Sequence, residues 1–246
     1  MEDFKLLING KLVAGDSTMP VINPATEEKL VDCPRASKKQ LDEAVAAAKA
    51  AFPAWAGLPI GERRKYLVQI ADALKANRDE LGRILPQEQG KPIKDATGEV
   101  AGASAFFRYF ANLDLPVKII EESDGRKVEA HRKPLGVVGA IVPWNFPVFI
   151  LGFKVPAALL AGNTVVVKPS PTTPLSALKF GEIIKDILPA GVVNIITDVN
   201  ALGDAMTKHP DIRKISFTGS TATGQKVMAS ASEQLKRITL ELGGND

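Results

Sequence analysis

Four groupings in this 246-residue chain bring together side chains that could do chemistry. Lys168 closes the apolar run Thr164-Val165-Val166-Val167 and is followed by Pro169-Ser170. A lysine so placed either carries its ammonium out to water on an apolar stem or donates to ribose hydroxyls or phosphate. Asn145 stands between Pro143 and Pro147 in another apolar stretch. A buried amide left unpaired costs about 1–3 kcal/mol. Asn145 therefore either caps the helix that follows or offers its NH₂ to an oxyanion. Glu241 ends the run Arg237-Ile238-Thr239-Leu240. It is either a solvated carboxylate at a strand end or a base whose pKa an apolar cleft would raise. Gly219-Ser220-Thr221-Ala222-Thr223-Gly224 lacks the G-x-G-x-x-G fingerprint. It still sets a glycine turn before a helix N-terminus, where free N–H groups and the dipole favour phosphate. Its plainer reading is a tight strand-to-helix turn.

Other chemistries are poorly supplied. Cys33 is the single cysteine, which excludes an intramolecular disulfide and a cysteine-rich zinc site, and His131 and His209 are too few for a histidine-built metal centre. The net charge of +3 is weak and evenly spread, so neither nucleic acid nor a membrane surface is expected as a partner. Met1-Glu2-Asp3 puts acids where a secretory leader needs bases, and a cytoplasmic protein is expected. Residues 135–168 are apolar with Lys154 as the only interior charge. Pro143, Asn145, Pro147 and Pro156 argue against a spanning helix there and for a buried core.

These groups need elements to hold them. After Pro134, strand-like runs at 135–142, 164–168, 192–197, 214–218 and 237–242 alternate with helical stretches at 148–161, 175–187, 201–208 and 222–232. Such alternation predicts right-handed βαβ crossovers and a parallel sheet covered on both faces. In such sheets ligands bind beyond the carboxyl ends of the strands, and Asn145, Lys168, Gly219 and Glu241 all fall at strand ends. Residues 1–35 read as short strands and turns, with Asn9-Gly10 as a hairpin signal. Residues 37–112 read as a helical layer, opened by a Ser37/Gln40 capping box and broken at Pro86 and Gly90. Residues 117–122 and 126–131 flank Ser123-Asp124-Gly125 and predict a projecting β-hairpin, which needs a partner to be stable. The expected organisation is thus 1–116 for the N-terminal strands and helical layer, 117–133 for the hairpin, and 134–246 for a Rossmann-like α/β core.

Taken together, the motifs resemble one family. Pro143-Trp144-Asn145-Phe146-Pro147, Lys168-Pro169-Ser170, Phe217-Thr218-Gly219-Ser220-Thr221 and Leu240-Glu241-Leu242-Gly243-Gly244 are similar, in order and spacing, to those of the aldehyde dehydrogenase superfamily. Ile22-Asn23-Pro24-Ala25-Thr26 and Glu88-Gln89-Gly90-Lys91-Pro92 fit as well. The resemblance implies NAD(P)-dependent oxidation of an aldehyde to an acid through a cysteine thiohemiacetal and thioester. It implies that Asn145 donates to the oxyanion and that Glu241 activates the deacylating water. It places Lys168 at the adenosine ribose and Gly219 and Ser220 at the pyrophosphate. Val142, Pro143, Trp144, Gly203, Gly224, Leu242 and Gly243 would complete the cofactor cleft. The hairpin would be an oligomerisation ribbon of a homodimer or homotetramer.

Two departures qualify the resemblance, beside a smaller one at Thr197-Asp198-Val199, where glycines are common in the family's adenine-side loop. The family's nucleophilic cysteine lies a few dozen residues beyond Glu-Leu-Gly-Gly, so the chain is expected to be the amino-terminal half, inactive alone, with Cys33 a small buried side chain. NAD-preferring members often carry a glutamate three residues after the lysine, whereas Pro171 stands here. NAD is expected, with NADP admitted. A CoA-acylating enzyme is disfavoured by Glu241, since a water-activating base competes with CoA. A non-catalytic dinucleotide-binding or interaction protein is the alternative.

Overall fold

A computed structural model describes residues 3–244. Met1 and Glu2, where the reading against a leader begins, lie outside the described residues, as do Asn245 and Asp246. In chain order the elements are β1 (Leu6–Ile8), β2 (Lys11–Val13), β3 (Ser17–Ile22), β4 (Lys29–Arg35), α1 (Lys38–Gly57), α2 (Ile60–Ala76), α3 (Arg78–Gln89) and α4 (Ile93–Ala111). The hairpin β5 (Lys118–Ser123) and β6 (Arg126–Ala130) follows. The remainder alternates: β7 (Val137–Ile141), α5 (Pro147–Leu160), β8 (Thr164–Lys168), α6 (Leu175–Ile184), β9 (Val193–Ile195), α7 (Leu202–Lys208), β10 (Ile212–Gly219), α8 (Thr221–Ser232) and β11 (Arg237–Leu242).

The main sheet has the order β11-β10-β7-β8-β9-β1-β2. Its five βα-region strands are parallel. Strands β1 and β2 add to the β9 edge antiparallel, so the sheet is mixed rather than purely parallel. Two short strands joined through Asn9-Gly10 extend an edge without a crossover, which is why an antiparallel hairpin can sit there. Helices α5 and α6 pack on one face, and α1, α7 and α8 on the other. Of the helical layer, α1 covers the sheet directly, whereas α2, α3 and α4 stack on α5 and α6 as a further layer. That third layer explains why α5 is apolar nearly all round.

The Ser37 box forms as expected: Ser37 Oγ accepts from Gln40 N–H, and Gln40 Oε1 accepts from Ser37 N–H. The expected break at Pro86 does not occur. Helix α3 runs through Pro86 and ends at Gly90, whose φ of 90° favours glycine. Buried Leu85 and Glu88 on either side of Pro86 hold the last turn in place. Strands β5 and β6 pair only with each other and leave Val117, Ile119 and Ile120 exposed. Among the described residues no helix is long and apolar enough to cross a membrane.

Candidate functional site

Register decides which side chains share an edge. Ile141 is level with Lys168 on β8 and with Phe217 on β10, and Thr218 and Gly219 are level with Glu241 and Leu242 on β11. The carboxyl ends of four parallel strands therefore open into one cleft of about 830 Å³. Val142, Pro143, Trp144, Asn145, Lys168, Gly219, Ser220, Glu241, Leu242 and Gly243 all line it. A second cavity of about 490 Å³ shares Ile141, Lys168, Asn200, Phe217 and Thr223 with the first and adds Gly203. Gly224 lines neither. It is buried where α8 crosses β11, and a Cβ there would meet Leu242 Cδ2 at 2.5 Å. Its need for glycine is a packing need.

Four helices, α5, α6, α7 and α8, begin at the carboxyl edge of the sheet, but their free N–H groups differ in state. At α5, Glu99 Oε1 accepts from Val148 N–H at 2.8 Å and Phe149 N–H at 3.1 Å. At α6, Glu88 accepts from Leu175 N–H at 2.6 Å and Ser176 N–H at 3.1 Å. Both glutamates are buried and come from the helical layer. Burial pushes the Glu88 carboxyl up to about 7, against the hydrogen bonds that lower it. The α5 and α6 N-termini thus already hold a carboxyl group of the protein. At α8 the Ser220 side chain accepts from Thr223 N–H at 3.3 Å, and Gly219 and Ser220 face the cleft. An incoming anion meets that helix end.

Lys91 ties this arrangement to Asn145. Its ammonium pairs with Glu99 Oε2 and donates to the Asn145 carbonyl at 2.9 Å, and it lies 4.1 Å from the Phe146 ring centroid. The Asn145 carboxamide oxygen accepts from Phe146 N–H at 3.1 Å. Asn145 does not cap α5, because Glu99 does. Among the described residues no acceptor meets its Nδ2, so the NH₂ is available to the cleft.

Lys168 does not snorkel. Its side chain is 3% exposed, and Nζ lies 2.9 Å from Oδ1 of Asp198, itself 1% exposed. The contact is a buried ion pair. Asn200 Oδ1 accepts from the same ammonium at 3.4 Å, from a residue at φ 74°, a conformation asparagine tolerates. Asp198 Oδ2 accepts from Leu202 N–H at 2.5 Å and so anchors the start of α7. Cys33 is buried beneath this turn, 4.0 Å from Thr197 Oγ1. Burial pushes its thiol up to about 12.

Lys154, met in the sequence only as a lone charge in an apolar segment, is buried on α5 and donates to Ser216 Oγ on β10 at 2.9 Å. Burial brings its ammonium down to about 8, with the Glu241 charge opposing that fall. A single cation in an otherwise apolar helix was the available signal. No local spacing signalled the contacts of Glu88 with α6, of Glu99 with α5 or of Asp198 with Lys168, because those partners lie tens of residues away in sequence. Phe106, Phe149 and Phe153 line the cleft mouth, stacked edge-on with centroids 5.0 and 5.7 Å apart from Phe106.

Comparison with known proteins agrees with this geometry. The model of the aldehyde dehydrogenase family matches residues 12–246. A protein of a Pseudomonas species named "Probable aldehyde dehydrogenase" is 45% identical over 243 residues, covering 99% of this chain and 50% of that protein. The solved structure of PnpE from Pseudomonas sp. WBC-3 in complex with nicotinamide adenine dinucleotide superposes with a TM-score of 0.94 at 40% identity, covering 99% of this chain and 51% of that one. An NADP dependent enzyme of E. coli superposes with a TM-score of 0.94 at 36% identity, covering 98% and 52%. The chain spans about half the length of the relatives it matches. With a family match over nearly its whole length and a cleft assembled from the motifs at four strand ends, this chain belongs to the aldehyde dehydrogenase family.

Proposed function

We propose that this chain forms the dinucleotide-binding part, and two reacting-site residues, of an NAD(P)-dependent enzyme that oxidises an aldehyde to a carboxylic acid. The observation that carries the reading is the convergence of Lys168, the α8 N-terminus, Asn145 and Glu241 on one cleft, with the α5, α6 and α7 ends already filled by Glu99, Glu88 and Asp198. The donor set suits a dinucleotide: Lys168 for ribose hydroxyls, and Gly219 and Ser220 at the α8 end for a pyrophosphate. Val142, Pro143, Trp144, Leu242 and Gly243 supply walls, and Gly203 leaves the adenine side open, with nothing within 4 Å of a Cβ built there. When bound, a nicotinamide accepts the hydride that leaves the aldehyde carbon.

The chain's own residues do the rest of the work assigned to it. Asn145 Nδ2 donates to the oxygen that gains charge when a nucleophile adds to the aldehyde. Glu241 takes a proton from the water that releases the acid. Cys33 is unsuited as the nucleophile, because a thiol raised to about 12 is almost fully protonated at neutral pH and lies outside the cleft. The thiolate must come from elsewhere in a complete enzyme, so this chain alone should bind cofactor without turnover. The exposed apolar side chains Val117, Ile119 and Ile120 at the β5–β6 hairpin support self-association through it.

The two tryptophans make a direct test. Trp55 is 1% exposed and Trp144 is 59% exposed at the cleft. Titration with NAD should change the fluorescence of Trp144 saturably, and Trp144→Phe should abolish the signal while calorimetry still reports binding. Aldehyde added with NAD should give no steady-state NADH absorbance. Absence of both fluorescence change and heat at millimolar NAD would remove the dinucleotide reading, and NADH formation sensitive to Glu241→Ala would remove the claim of inactivity.

A further inference from the structure

We infer that Asp198 makes this cleft select an adenosine ribose without a 2′-phosphate, so that NAD is taken in preference to NADP. The inference rests on the dinucleotide reading above and goes beyond it. Lys168 is the buried cation at the junction of the two cavities. Asp198 stands behind it at 2.9 Å, nearly inaccessible itself. The pair cancels the net charge that a phosphate would need.

An ammonium has three N–H groups; Asn200 Oδ1 takes one and Asp198 Oδ1 faces the group at 2.9 Å, so Lys168 keeps at least one donor for a neutral hydroxyl. Its charge is balanced while part of its hydrogen-bonding capacity is kept. A phosphate oxygen meeting Nζ at about 3 Å would lie within about 6 Å of Asp198, and distance scaling alone then removes about half of the attraction. The phosphate would also surrender its hydration in a half-closed pocket.

The other charges of the cavity do not restore a phosphate site. Asp204 lines it and pairs with Lys208 at 3.2 Å. Lys226 lines it too, but is exposed, where water and salt screen its charge. Pro171, just beyond Lys168, supplies no charge at all. Discrimination therefore falls to Asp198, a positioning residue that acts through Lys168. Its Oδ2 bond to Leu202 N–H holds the carboxylate in place.

The test is calorimetric titration of the 246-residue chain with NAD, NADP and AMP at one ionic strength. Wild type should bind NAD about tenfold or more tighter than NADP. Asp198→Asn, which keeps an acceptor for Leu202, should narrow that ratio by about tenfold, chiefly through stronger NADP binding. A wild type that binds NADP as tightly as NAD, for instance through Lys226, overturns the inference without any variant. A folded Asp198→Asn with an unchanged ratio also overturns it, while leaving the dinucleotide reading intact. Failure of wild type to bind NAD or AMP removes both.

Discussion

Replacing Lys168 by alanine should damage the protein in two separable ways. The first is stability. The substitution leaves the Asp198 carboxylate buried at 1% exposure without its counter-charge. Breaking one partner of a buried pair costs about 3–5 kcal/mol, a large share of the ~5–15 kcal/mol that holds a typical domain folded. Asn200 does not rescue it, because its Oδ1 is itself an acceptor. The second is binding. A hydrogen bond from a charged donor contributes about 1.5–3 kcal/mol, so AMP affinity should fall roughly ten- to a hundredfold. Adding Asp198→Asn to Lys168→Ala separates the two effects. The double variant has no buried charge and should regain more than half of the lost stability, while AMP binding stays weak. Urea unfolding followed by tryptophan fluorescence reads the first quantity and calorimetry the second. A Lys168→Ala protein within about 1 kcal/mol of wild type would refute the buried-pair argument. A double variant with wild-type AMP affinity would refute the ribose contact.

Two further outcomes are expected. Glu88 has its pKa raised from 4.5 to about 7 by burial, so the folded state holds that proton more tightly than the unfolded chain. Its contribution is fully present below pH 4.5 and is lost as pH rises through 7, about 3 kcal/mol in all. Glu88→Gln should flatten that part of the pH dependence of urea midpoints, and an unchanged slope would show that burial does not govern this carboxyl. On the hairpin, Ile120 is 57% exposed, so Ile120→Lys should leave the unfolding midpoint within about 0.5 kcal/mol and reduce the mass seen by sedimentation. An unchanged mass distribution would refute the hairpin as an association surface.

Local regularities were legible because local physics governs them. Strands β8 and β11 begin and end where their apolar runs do, and β1 and β2 flank the Asn9-Gly10 turn signal. The Ser37 cap forms because both of its partners lie three residues apart. Strand-helix alternation dictated which residues stand at carboxyl ends, and hence that Asn145, Lys168, Gly219 and Glu241 share a cleft. Pro86 shows the limit: a local break signal was overridden by burial on either side of it.

What tertiary structure alone decided is how those groups are charged and held. Whether Asn145 caps α5 depended on Glu99, a residue of α4 that reaches α5 only once the third layer has stacked. Whether Lys168 is exposed or buried, and with what net charge, depended on Asp198 in the turn after β9. The antiparallel addition of β1 to β9 likewise joins Leu7 to Ile195, far apart in sequence. Periodicity and capping report neighbours within a turn or two, whereas electrostatic state depends on whatever packing brings within a few ångströms. The sequence by itself therefore determined which residues stand at the strand ends that open into the cleft, and the folded arrangement determined the rest of its lining, the partners and burial of those residues, and the charge they present.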